Sequence, residues 1–158
     1  MQNGLVLEAG TGWDRLAIDP RGAGHALNVV LIYEDAEARR WAKDLFDRAA
    51  RFAGPESLHP SWWRMGDLSA PGVLAGAVST ALRADVVVVA THAAEGLPMA
   101  FYVWVDAWLP HRPQNAGALV ALLGKRRNSA PSSGRVRDYL NAVAREGRLD
   151  FVIQEQAA

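Results

Sequence analysis

Cysteine is absent from all 158 residues. That removes disulfides, thiol nucleophiles, iron–sulfur clusters and cysteine zinc sites from consideration, and it fits a reducing compartment. An excess of either charge is also missing. Lys plus Arg and Asp plus Glu count 17 each, so no net field draws nucleic acid or an anionic membrane. No run approaches 18 apolar residues, which argues against a membrane span. No basic stretch followed by an apolar one opens the chain, so a secretory leader is not expected and a cytoplasmic protein is. Tyr33-Glu34-Asp35-Ala36 contains no glycine, so a dinucleotide fingerprint after the first strand is lacking, and no P-loop occurs anywhere. Internal repeats and low-complexity segments are missing as well.

What is present is a globular composition, half hydrophobic and 22% charged, enough for one domain with a sizeable core. Its clearest signal is Asp85-Val86-Val87-Val88-Val89-Ala90-Thr91-His92. A valine run with no polar break has no wet face, so it belongs in the middle of a parallel sheet covered on both sides. Around it the chain alternates strand and helix. Strands are expected at 28–33, 61–66, 85–91, 118–123 and 151–153. Helices are expected at 36–53, from Ser69 as cap to Arg83, from Pro98 to Leu109, and over 134–145. Right-handed crossovers make this a doubly wound α/β sheet of five mostly parallel strands in the flavodoxin-like order 2-1-3-4-5. Residues 1–27 are punctuated by glycine and proline and read as an N-terminal appendage, either a hairpin or an arm. Residues 28–158 form the single domain.

Such sheets bind ligands at the carboxyl ends of their strands. The residues delivered there are Glu34 and Asp35 after the first strand, Asp67 after the second, Thr91 and His92 after the third, and Lys125 after the fourth. Glu34 and Asp35 suit a hard cation such as magnesium; they equally suit the N-terminus of the following helix, where a carboxylate caps and meets the dipole. Asp67 carries the same two readings. An unperturbed imidazole has a pKa near neutral, so His92 suits a general base, or a loop hydrogen bond. Thr91 offers an anion a hydroxyl, or simply ends a strand. Lys125-Arg126-Arg127 is a phosphate-attracting loop or a solvated basic one.

The six tryptophans are unevenly placed. Adjacent Trp62 and Trp63 must face opposite sides of the sheet. In the third helix Phe101, Trp104, Val105 and Trp108 share one side and belong to the core, which leaves Met99 and Tyr102 elsewhere. The second helix has no charge between Ser69 and Ala81, and Gly72 and Gly76 permit close approach. Met99, Tyr102, Gly72 and Gly76 are therefore candidates for an interface with a protein partner or a second copy, a homodimer. A covered core helix explains the same pattern.

With these residues placed, 28–155 resembles a response-regulator receiver domain. Glu34-Asp35 matches the acidic pair that holds magnesium in receivers, and Asp85 to Val89 matches their third strand. The phospho-acceptor aspartate falls near Ala90 or Thr91, where there is no acid. Gly124 replaces the Ser or Thr after the fourth strand, and Gln154-Glu155 replaces the Lys-Pro of the fifth. The resemblance thus implies a receiver without its chemistry. The chain is also similar to small uncharacterised bacterial proteins of receiver-like shape in Ile32 to Asp35, Trp63 to Leu68, Ala84 to Val89, Leu97 to Leu109 and Gly117 to Leu123. TIR domains offer a further likeness through Ala81 to Asp85, with Glu95 in the region of their catalytic glutamate. These readings together predict a non-catalytic signalling or interaction module that works by association. The alternative is a small metal- or nucleotide-binding enzyme, TIR-like or acting on phosphate esters, built on the carboxyl-edge residues.

Overall fold

The computed structural model describes residues 26–92, 96–113, 115–124 and 131–156, without the side chains of 131–133. The proposed appendage, Lys125 and Glu95 lie outside them, Ala26 and Leu27 excepted. The elements run β1 Leu27–Tyr33, α1 Ala36–Ala53, β2 Leu58–Arg64, α2 Pro71–Leu82, β3 Val86–Thr91, α3 Met99–Trp108, β4 Ala118–Gly124, α4 Pro131–Glu146 and β5 Asp150–Gln156. All five strands are parallel, in the order β2-β1-β3-β4-β5. This is a flavodoxin-like α/β sheet. Among the described residues, no helix is long and apolar enough to cross a membrane.

β3 occupies the centre, and every residue from Val86 to Thr91 is buried. Alternate strand residues serve two cores. Val30, Ile32, Val87, Val89, Leu119, Ala121 and Ile153 meet α2, α3 and α4 on one face. Val29, Leu31, Val88, Ala90, Val120, Leu122 and Val152 face the side carrying α1. Trp62 and Trp63 split between these faces as the pleat requires. α1 forms because Ala38, Ala42, Leu45 and Ala49 recur on one stripe, all buried. It stops at Gly54, whose φ of 96° is open to glycine and whose N–H closes on the Ala50 carbonyl.

Several boundaries differ from the sequence expectation, β5 among them, which runs Asp150–Gln156. β2 begins at Leu58 and ends at Arg64, because Met65–Ser69 winds into a 3-10 turn. Ser69 therefore does not cap α2. Its hydroxyl donates to the Gly66 carbonyl at 3.3 Å, and the N-cap position falls on Ala70, which has no side-chain cap to give. α4 starts at Pro131, earlier than the expected Gly134, since proline suits a first helical turn.

α3 buries Phe101, Trp104, Val105 and Trp108 as its periodicity predicts. Trp104 and Trp108 pack at 5.4 Å between ring centroids, yet both indole N–H groups are buried without an acceptor. Each orphan donor costs about 1–3 kcal/mol, so apolar burial outweighs hydrogen bonding at these positions.

Candidate functional site

The carboxyl edge between β1 and β3 brings together four of the predicted residues. Glu34 follows β1, and its own N–H donates to the Ala90 carbonyl at 3.0 Å. One of its oxygens, Oε1, accepts from the buried Thr91 hydroxyl at 2.7 Å and from the His92 backbone N–H at 2.8 Å. Glu34 thus fixes the end of β3 rather than capping a helix. Thr91 is 1% exposed, so its hydroxyl is committed to that carboxylate and turned from bulk solvent.

Asp35 is the cap of α1. Its Oδ1 accepts from the Ala38 N–H at 2.9 Å, which is the helix-capping reading of that acid. It also meets the imidazole: His92 Nε2 lies 3.0 Å from Asp35 Oδ2 and 3.2 Å from Oδ1. Glu37 Oε1 stands 3.4 Å from the same nitrogen. Partial burial on its own pushes the Asp35 carboxyl upward. The Ala38 N–H, the His92 charge and the His92 hydrogen bond outweigh it together, so the carboxyl settles below its ordinary range.

The imidazole is held on three sides. Trp41, one turn along α1 from Glu37, meets its ring at 4.9 Å in an edge contact. Gly124 ends β4 directly beneath: a Cβ there would stand 3.1 Å from His92 Cα, 3.2 Å from Nδ1 and 3.2 Å from Trp41 Cη2. Glycine at that point is what lets ring and indole settle against the strand. With Nε2 turned to the carboxylates, a neutral ring keeps its proton there and leaves the Nδ1 lone pair for other work. The His92 side chain is 27% exposed, enough for contact with a solute.

The other sequence candidates are placed elsewhere. Asp67 is exposed and pairs with Arg64 at 3.3 Å in the turn after β2. Lys125 lies outside the described residues. Among those residues, no group of three His, Asp or Glu side chains is arranged to hold a metal ion. Of the oxygens expected for magnesium, Glu34 Oε1 and both Asp35 oxygens meet protein donors. Nor is the N-terminus of α1 open to a phosphate: Asp35 caps it and Glu37 adds a second negative charge in its first turn.

Of the interface candidates, Gly76 and Tyr102 are used internally. A Cβ on Gly76 would come 3.0 Å from Trp63 Cη2, so the missing side chain makes room for that indole. Tyr102 packs on Tyr139 at 4.8 Å. Met99, 75% exposed, and Gly72, with open space around it, remain at the surface.

Two residues of this rim escape sequence reasoning, Glu37 and Trp41. Both reach His92 from α1, across the β1–α1 connection, and only the packing of α1 on β3 brings them there. Trp41 belongs to the apolar stripe by periodicity, which signals core and not site.

No protein-family model matches the chain, and no curated protein matches it. Among solved structures, it is similar to the apo form of an NADH:FMN oxidoreductase, with 18% identity, a TM-score of 0.49, and coverage of 84% of this chain and 75% of that one. The expected non-catalytic association module does not stand. That expectation assumed an unreactive rim, whereas the rim holds a histidine whose Nε2 meets two carboxylates.

Proposed function

We propose that this protein binds a small ligand at the carboxyl edge of β1, β3 and β4 and moves a proton on it through His92. The observation that carries this reading is the 3.0 Å contact between His92 Nε2 and Asp35, made by a histidine whose backbone N–H is itself held by Glu34. A carboxylate on one ring nitrogen orients the imidazole, selects its tautomer and stabilises the imidazolium when the other nitrogen takes a proton. Asp35 is the orienting group and Nδ1 the proton acceptor. Glu34 and Thr91 fix the position of the pair, and Glu37 adds a second carboxylate 3.4 Å from Nε2.

The polarity of the rim supports a ligand that brings a neutral or cationic group to His92, because Glu34, Asp35 and Glu37 all lie close by. Nucleotide binding with a phosphate at the start of α1 is disfavoured by the same charges. The compartment that fits this chain, free of cysteine, is the cytoplasm.

The experiment is a pooled screen of carboxylic acids, amides and amines in deuterated solvent, followed by NMR. A compound that exchanges a carbon-bound proton for deuterium with wild type, and not with His92→Gln or Asp35→Asn, is the expected result. Exchange that persists at the wild-type rate in both variants would sink the reading.

A further inference from the structure

An open groove of about 450 Å³ lies between α1 and the end of β5, lined by Arg40, Trp41, Lys43, Asp44, Asp47 and Gln156. Its volume is in the range of small-molecule sites, about 300–1,000 Å³. The charges in it differ in kind. Lys43 pairs with Asp47 at 2.9 Å, and Arg48, one turn further, pairs with Asp44 at 3.1 Å. Both carboxylates are therefore matched along the helix. Arg40 has no ion-pair partner among the described residues. The groove thus presents one uncommitted charge, and it is positive.

Trp41 joins this groove to the rim. It lines the groove and at the same time contacts the His92 ring at 4.9 Å. Packed beside Gly124 and His92, the indole is a fixed aromatic surface. On the two elements that form the groove, two buried polar atoms have no hydrogen-bond partner, Arg48 Nε on α1 and Gln154 Oε1 on β5. Gln154 sits two residues before Gln156, on the same side of the sheet.

We propose that the α1–β5 groove receives the body of the ligand on which His92 acts, and that this ligand is a planar organic anion. Its ring lies against Trp41 and its carboxylate or phosphate pairs with Arg40. The three rim carboxylates fix its direction: the negative end points away from them, toward Arg40, and the neutral end faces His92. Joining groove and rim into one site rests on the proton-transfer reading above; the groove's preference for an anion does not.

The test uses the full chain, with benzoate as probe and neutral benzamide as its matched control, followed at the Trp41 indole N–H resonance, which Trp41→Phe identifies. Benzoate should shift that resonance saturably and bind more tightly than benzamide. Arg40→Gln should weaken benzoate by about twofold to fivefold, the range of an exposed charge pair, and leave benzamide unchanged. His92→Gln should leave benzoate in the groove. Equal binding of the two probes, no effect of Arg40→Gln, or no shift at Trp41 at millimolar probe would each overturn the proposal. Loss of the shift in His92→Gln with none in Arg40→Gln would move the anion to the rim and overturn it too. If benzoate behaves as expected while the exchange screen finds no role for His92, the groove stands and the proton-transfer reading falls.

Discussion

The two ends of the β1–β3 pair are built on the same device and put it to different uses. At the amino end Asp85, just before β3, accepts the backbone N–H of Asn28 in β1 at 2.8 Å. At the carboxyl end Glu34, just after β1, accepts the backbone N–H of His92 after β3 at 2.8 Å. Each is an acid that staples the neighbouring strand. At the amino end the groups nearby are also tied down: Asn28 donates to the Arg83 carbonyl, and Arg112 donates to the carbonyls of Ala84 and Asn115 at 3.0 and 3.1 Å. Burial pulls the Arg112 pKa down and Asp85 opposes it, but a guanidinium keeps its charge regardless. The carboxyl end carries instead an imidazole whose Nε2 meets the carboxylates of Asp35 and Glu37. One edge is a clamp, and the other presents a partly exposed imidazole.

The largest effect should come from crowding the clamp. A Cβ on Gly117 would collide with Arg112 Nη2, with Leu149 Cδ2 at 2.7 Å and with the Asp85 carbonyl at 2.9 Å. Because one of these is backbone, Gly117→Ala should cost about 3 kcal/mol, read as a lower urea midpoint.

Removing either staple should cost less, about 2 kcal/mol each for Asp85→Ala and Glu34→Ala, since each strands a backbone N–H that had a charged acceptor. The comparison sharpens in the NMR titration of His92, which Glu34→Ala should move and Asp85→Ala should leave in place. Equal shifts from both variants would break the distinction between the edges.

A smaller effect concerns acid stability. The Asp35 carboxyl is held below its ordinary value, so it binds a proton less readily folded than unfolded. Its contribution is present above the unfolded value, about pH 4, and is lost as pH falls through the folded one. Asp35→Asn should flatten the stability profile in that acid window, lowering stability at neutral pH, where the carboxylate contributes, and changing it least at the acid end, where that contribution is already lost. A slope identical to wild type would count against the Asp35–His92 pairing.

The smallest effect is expected off both edges. Asp67→Ala breaks only the exposed contact with Arg64 and should change stability by less than about 0.5 kcal/mol, with no movement of the His92 titration. A larger change would bring Asp67 back to the rim.

Some of this site was legible in the residues. Glu34, Asp35, Thr91 and His92 were placed at one edge because β1 and β3 flank the point where the winding reverses. Their roles were not legible. Asp35 caps α1 and Glu34 does not, though the two are neighbours and chemically alike, because a one-residue step turns the first carboxylate to β3 and the second to the helix. The partner for His92 was missed for the same reason: Asp35 and Glu37 lie 57 and 55 positions away along the chain.

What the sequence determined by itself is the alternation of strand and helix, the burial of β3 and the stripe of α1. These follow from apolar periodicity and unbroken valine runs, which each segment carries locally. Tertiary structure alone decided which carboxylate faces His92, that Trp41 bridges rim and groove, that Gly76 serves Trp63, and that Arg40 has no ion-pair partner among the described residues. Those outcomes depend on how α1 and α2 settle on the sheet, and an angle between packed elements is not written in any one segment of the chain.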